Sequence, residues 1–251
     1  MRRILALSLS ASLVCVLGCG TDSYNRRLEH TLNDLKYRQR LDQYLSPPAQ
    51  DQFQGLAIFL RPPKPLVPSK EFQLPTTPGL FDLTTSFYDP ASKPKSPGLR
   101  LHVLARRKVK KAPPKKGAPP PEPEVPRGDF RQDVQVLLAS ELGATEENFL
   151  KFQDMTAKNK TAFKRLTFTS PILNNDQIRV FLYTNKRDNY DVALIWDIPP
   201  GVEKTPPVTE GQELTLGSFA TGAKASQQFA NGASEDEAAP GAVGASAPTA
   251  F

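Results

Sequence analysis

Two cysteines, two histidines and a single tryptophan in 251 residues leave little for several common chemistries. Zinc sites draw on clusters of Cys and His, and disulfide scaffolds need Cys pairs spread through the fold. Here both cysteines lie near the N-terminus, at Cys15 and Cys19, and the sequence that follows has none. No Gly-rich phosphate loop, nucleophile elbow or paired-His helix is present, which points away from cofactor-bound or metal-assisted catalysis; no cofactor and no metal are expected. Ser92-Lys93-Pro94-Lys95 has the bare Ser-x-x-Lys spacing, but Pro94 and Pro97 prevent the helical turn that would bring the lysine to the serine. Proline, by contrast, is abundant and uneven: 18 of the 25 lie between Pro47 and Pro126.

The N-terminus carries the clearest address. Arg2 and Arg3 precede an apolar run, Ile4 to Leu17, of about 14 residues, which is short for a membrane span of about 20 and right for an export signal. Val16-Leu17-Gly18-Cys19 follows. This order of charge, apolar run, small residue and cysteine resembles the lipobox signal of bacterial lipoproteins; the resemblance covers the signal region alone, and it identifies no family for the mature domain. It implies that residues 1–18 are removed and that Cys19 is acylated and becomes the first mature residue, with acyl chains, palmitate among them, anchoring the protein to the membrane. Cys15, preceded by Val14, fits the pattern less well. Gly20 rather than Asp after the cysteine favours outer-membrane over inner-membrane sorting. The expected location is the cell envelope, outside the cytoplasm.

Beyond a tether at 19–21, residues 22–46 contain no proline before Pro47 and read as one long helix, capped by Thr21, Asp22 or Ser23. Tyr24, Leu28, Leu32 and Leu35 share one face, while Tyr37, Leu41, Tyr44 and Leu45 fall nearly opposite. That pattern is not a coiled-coil heptad. It suits a spacer, or a helix packed on different surfaces in its two halves, better than one lying in a membrane.

Residues 50–200 carry the periodic elements of one domain. Strands are predicted over Phe53–Leu60, Leu80–Tyr88 and Leu99–Val109, then a helix from Phe130 to Leu142 with Gly143 as its C-cap. A second short helix runs from Thr145 to Met155, and strands follow over Ala162–Thr169, Gln177–Thr184 and Tyr190–Ile198. The implied fold is α+β, an antiparallel sheet of about six strands with two short helices on one face, preceded by the long N-terminal helix. The chain from 204 to 251 has few large apolar residues and no period, and is expected to be a disordered, acidic low-complexity tail.

One insertion interrupts this domain. Residues 106–127 hold 8 basic and 2 acidic residues among many prolines, a composition for an extended, protruding loop. Arg106, Arg107, Lys108, Lys110, Lys111, Lys115 and Lys116 are its candidate contact residues for an anionic partner, either an envelope polymer, a lipid headgroup or an acidic protein. Lys and Arg near an anionic lipid surface contribute about 1 kcal/mol each, screened by salt beyond about 10 Å. Nucleic acid is not expected, since no aromatic residues are interleaved for base stacking. His30 and His102 read as solvated surface histidines, His102 on the polar side of its strand. Asp176, Asp188, Asp191 and Asp197 fall near strand ends and turns, but their spacing selects no pair for two-carboxylate hydrolysis.

The functional expectation is a membrane-anchored envelope lipoprotein that binds or scaffolds and does not catalyse. An accessory subunit of an envelope assembly or secretion complex is the alternative, and a carboxylate-dependent hydrolase the less favoured third.

Overall fold

A computed structural model of the chain describes residues 21–92, 98–108, 127–185 and 188–236. The chain divides into two units at Gln43/Tyr44. The described part of the first is helix α1, Thr21–Tyr44, whose last residue belongs to the second unit. Its stripe Tyr24, Leu28, Leu32 and Leu35 is 45–65% exposed, and local bonds such as Thr31 Oγ1 to the Arg27 carbonyl (2.9 Å) and His30 to Asp34 (2.9 Å) support it. Among the described residues no helix is long and apolar enough to cross a membrane.

The second unit is α+β. After Leu45 come α2 (Gln52–Gly55), β1 (Ile58–Phe59), β2 (Val67–Pro68), β3 (Leu83–Tyr88), β4 (Arg100–Arg107), α3 (Phe130–Leu142) and α4 (Glu146–Phe149). Then follow β5 (Gln153–Thr156), β6 (Ala162–Thr169), β7 (Gln177–Thr184) and β8 (Tyr190–Ile198). A π-turn over Pro207–Gly211, α5 (Gln212–Ser218), β9 (Ala220–Thr221) and α6 (Ala223–Asp236) complete the described chain. The main sheet has seven strands in the order β2-β3-β4-β8-β7-β6-β5, all neighbours antiparallel; β1 and β9 form a separate pair.

Two departures from the sequence expectation share one cause: local pattern does not show what covers a surface. The apolar run Phe53–Leu60 is not one strand. Asp51 and Ala57 take positive φ (56° and 49°), so the run breaks into α2 and the two-residue β1. The predicted second helix stops at Phe149 and Gln153–Thr156 becomes the edge strand β5; with β2 at the other edge and β1 outside the main sheet, the sheet has seven strands rather than about six.

The sheet is also covered on both faces rather than one. Val192, Leu194, Trp196 and Ile198 of β8 face a core closed by Phe53, Ile58, Leu60, Val208, Leu216 and Phe219. The alternate residues Ala193 and Ile195 face α3 through Val134, Leu137, Leu138 and Leu142. α3 starts where Asp129 accepts the Arg131 N–H (2.8 Å) and ends at Gly143, whose φ of 69° favours glycine.

The segment expected to be disordered from residue 204 therefore supplies part of the core as far as Phe229. Val208, Leu214, Leu216 and Phe219 are 0–2% exposed. Thr215 donates to the Arg61 carbonyl (2.9 Å), and a side chain at Gly211 would collide with Pro63, whose Cβ would lie 2.9 Å away. Three of these, Val208, Leu216 and Phe219, join the core on that sheet face without a regular period, because the strands have already made the face they cover. The remainder of that tail, 237–251, lies outside the described residues.

Candidate functional site

The ends of the basic insertion are held by a small polar clasp at one end of the sheet. Asp82, just before β3, accepts the backbone N–H of Arg107 (2.6 Å) and the guanidinium of Arg127 (3.0 and 3.3 Å), so one carboxylate grips both stems. Lys108 crosses to the β7–β8 turn: its N–H reaches the Asn189 carbonyl (2.7 Å), and its ammonium reaches the Asn185 carbonyl (2.7 Å) and Asp191 (2.9 Å). Sequence pattern gave no sign of Asp82, which falls inside the predicted strand Leu80–Tyr88, whereas β3 begins only at Leu83.

Arg106 corrects the sequence reading. It is 5% exposed and belongs to the α3 side of the sheet, not to a displayed loop. Its guanidinium donates to the carbonyls of Leu80 and Gly128 (3.0 Å each) and to Asp133 (2.5 Å), between the rings of Phe81 and Phe130, with Cζ 5.3 and 5.4 Å from their centroids. Lys108 is likewise committed to an ion pair. Arg107 keeps an exposed side chain, whose guanidinium carbon lies 5.7 Å from the Tyr190 ring centroid. Lys110, Lys111, Lys115 and Lys116 lie outside the described residues, as do Cys19 and the signal segment.

A cavity of about 890 Å³ opens beside the same β7–β8 turn, between β6, β7 and the start of α6. Its floor is an aromatic trio, Phe163, Tyr183 and Phe219, with centroids 5.3–5.9 Å apart. Asp188 accepts from the Tyr183 hydroxyl and from Thr221 (2.9 Å). Burial, then the Asp188 carboxylate, pushes the Tyr183 hydroxyl above its ordinary pKa. Asn159 ties the rim down by donating to the Phe219 carbonyl (2.8 Å).

His102 is a second correction. It is 1% exposed because Ser86 on β3 and Phe72 cover it; its Nδ1 lies 2.8 Å from Ser86 Oγ, and the Phe72 ring meets it edge-on at 6.0 Å. The Gln73 N–H donates to the same Ser86 oxygen (3.1 Å), so the serine O–H is directed at an unprotonated Nδ1. Burial, helped by Arg100, pushes the imidazole down to about 3.

The four aspartates do not share one site. Asp188 belongs to the cavity and Asp191 to the insertion root. Asp176 and Asp197 are 4% and 1% exposed and share a hydrogen bond; burial, then Asp176, pushes the Asp197 carboxyl up to about 7, against the opposing charge of Arg100, whose guanidinium lies 3.6 Å away. Two carboxyls in contact and out of solvent leave no room for a substrate between them. Among the described residues no group of three His, Cys, Asp or Glu side chains is placed to hold a metal ion.

No protein-family model matches the chain, and no curated protein does. Among solved structures, the chain is similar to cyanobacterial PsbP from Synechocystis sp. PCC 6803, at 10% identity over 71% of this chain and 93% of that one, with a TM-score of 0.40. It is also similar to the Saccharomyces cerevisiae Ran-binding protein Mog1p, at 12% identity over 69% and 95%, with a TM-score of 0.37.

Proposed function

We propose that this protein is a membrane-anchored envelope lipoprotein, held through Cys19 and sorted to the outer membrane, whose α+β unit binds an anionic partner without catalysing a reaction. The observation that carries the binding role is the clasp of Asp82 around Arg107 and Arg127. A loop whose two stems are fixed to a rigid sheet presents its charges from one place, and proline lowers the entropy lost when they are engaged. Three stem cations, Arg106, Lys108 and Arg127, serve the fold, so the contact charge resides in Lys110, Lys111, Lys115 and Lys116, with the exposed guanidinium of Arg107 at their base.

Replacing residues 109–126 with a short Gly-Ser linker, and leaving Lys108 and Arg127 in place, should keep the fold and reduce co-sedimentation with isolated envelope or anionic liposomes at low salt. Unchanged sedimentation would remove the contact role. For the anchor, Cys19→Ala should abolish palmitate labelling and release the protein from the membrane fraction; labelled, membrane-bound Ala variant would show that Cys19 is not the lipidation site.

The exposed stripe Tyr24, Leu28, Leu32 and Leu35 favours a second reading, an accessory subunit of an envelope assembly with α1 as its interface. Specific proteins crosslinked to α1 in membranes would support it. A carboxylate-dependent hydrolase has no comparable observation behind it.

A further inference from the structure

The sheet face that carries Val192, Leu194, Trp196 and Ile198 is only partly closed. Its core covers β3, β4 and β8 and takes in Phe163 of β6 and Phe181 of β7. Residues two apart on a strand share a face, so Arg165 and Thr167 follow Phe163 there, and Gln177 and Arg179 precede Phe181. None of these four is buried. Strand pairing fixes their neighbourhood. Arg179 lies between Thr167 and Trp196, and Arg165 is opposite Phe181. The two arginines are therefore diagonal neighbours, about 7–8 Å apart at the backbone, on a shelf bounded by Gln212 of α5.

Neither arginine has a counter-ion in contact. Arg179 donates from Nε and Nη2 to Gln177 Oε1 (2.9 and 2.6 Å) and from Nη1 to Gln212 Oε1 (2.9 Å). Both acceptors are neutral amides. They hold the guanidinium in one orientation, leave its charge unpaired, and use three of the five N–H groups that an arginine carries. Arg165 is exposed, and its side chain makes no hydrogen bond or ion pair among the described residues. The carboxylates around the shelf are engaged elsewhere. Glu203 accepts the Gly201 N–H (2.8 Å), Glu213 holds Lys158 (2.6 Å), and Asp154 holds Lys164 (3.2 Å) on the opposite face. Burial, then the like charge of Arg165, lowers the Arg179 pKa from its ordinary value, and Glu203 opposes this without cancelling it. Partly buried charges are ordinarily paired; this one meets two amides and a second cation.

We infer that this shelf binds a phosphate group, held between the fork of Arg165 and the remaining N–H groups of Arg179. A planar carboxylate has two oxygens and is filled by a single guanidinium fork. Two guanidiniums arriving from different strands call for more acceptors in more directions, which the terminal oxygens of a tetrahedral phosphate supply. Arginine rather than lysine at both positions suits that geometry, because a guanidinium donates in fixed directions and an ammonium acts as a point charge. Arg165 is exposed and Arg179 half-buried, so the group approaches from solvent. Free phosphate and a lipid phosphate headgroup share this chemistry. No residue of the shelf belongs to the insertion or its clasp, so the failure of this site and the failure of the insertion's role are read in different experiments.

The test uses the full chain in a non-ionic detergent, and the same chain with 109–126 replaced by the Gly-Ser linker so that the lysines of the insertion do not compete. Both are titrated at low salt with inorganic phosphate, methyl phosphate and acetate, followed by the NMR shifts of backbone amides and of arginine Nε–H groups. Both phosphates should shift Arg165, Thr167 and Arg179, and acetate should bind about fivefold more weakly or worse. Arg165→Ala, a change at an exposed position, should weaken phosphate about fivefold or more. Arg165→Lys should recover less than half of that loss in free energy, since it restores the charge without the fork. Dihexanoyl phosphatidic acid separates the sources: tighter binding than methyl phosphate assigns a lipid headgroup, and equal or weaker binding assigns a soluble phosphate. Acetate binding as tightly as phosphate would overturn the assignment. So would wild-type affinity in the Ala or Lys variant with a folded spectrum, shifts confined to other surfaces, or no shifts at about 10 mM, weaker than the millimolar binding that still amounts to about 4 kcal/mol.

Discussion

Arg106→Met is expected to destabilise the α+β unit by about 3–5 kcal/mol, the range for removing one member of a buried ion pair, against a total stability of about 5–15 kcal/mol for a domain. Three acceptors depend on this guanidinium: the Leu80 and Gly128 carbonyls and Asp133, whose side chain is only 20% exposed. Methionine fills the space between Phe81 and Phe130 but leaves all three unpaired. Arg106→Lys should recover little of the loss, because a compact ammonium cannot reach three acceptors in the plane of a fork. Arg106→Met with Asp133→Leu should be milder than the single variant, since no carboxylate is then left buried alone. Urea unfolding of the three variants measures this. A lysine variant within about 0.5 kcal/mol of the wild type would show that the pair contributes only surface-like energy.

The second large effect is a pH dependence that the wild type conceals. Asp197, raised to about 7 from an ordinary 3.8, is more readily protonated in the fold than in the unfolded chain. Its contribution therefore grows as pH falls from about 7 to about 4, by at most about 1.4 kcal/mol per pH unit. His102, lowered to about 3 from 6.5, has the opposite sign: the unfolded chain takes up the proton below 6.5 and the fold does not, so stability is lost as pH falls. Between about pH 4.5 and 6.5 the two slopes nearly cancel, and wild-type stability should be almost flat in that window.

Variants separate the two. Asp197→Asn keeps a donor for Asp176 and removes the carboxylate; its stability should fall on acidification with the slope of His102, and it should be more stable than wild type at pH 8, where Asp197 is charged. His102→Asn keeps an acceptor for Ser86 and should gain stability on acidification. The slope, not the absolute stability, is the readout, so packing losses at either site do not confuse it. Parallel pH profiles for the two variants would contradict both assignments.

Much of the fold was legible from local pattern. Helix α3 runs over Phe130–Leu142 as its spacing predicts, with Gly143 closing it, and β6, β7 and β8 fall on the predicted ranges. Helix α3 announces itself because its apolar residues form one regular buried stripe, and β6, β7 and β8, which bury residues on both faces, because each is an apolar-rich run of strand length bounded by turn residues. Less was legible at the candidate site. The basic composition of 106–127 is plain in the sequence, yet nothing there separates Arg106, buried between two phenylalanines, from Arg107, which remains exposed. Adjacent residues of a strand point to opposite faces, and which face is covered depends on α3, some 24 positions later in the chain.

The cavity was not legible at all. Asn159, Lys160, Tyr183, Thr221, Lys224 and Gln228 come together only because β9 pairs with β1 and draws α6 across the end of the sheet.

What the sequence determined by itself is what depends on near neighbours: the long helix that ends before Pro47, the antiparallel α+β character and the basic, proline-rich composition of 106–127. Tertiary structure decided which charges are free. Arg106, Lys108 and Arg127 are consumed by Asp133, Asp191 and Asp82, while Lys160 and Lys224 at a cavity rim have no acidic partner among the described residues. Charge is a property of a residue, but its availability is set by carboxylates 27 to 83 positions away in the chain, and only the packed sheet brings them within reach.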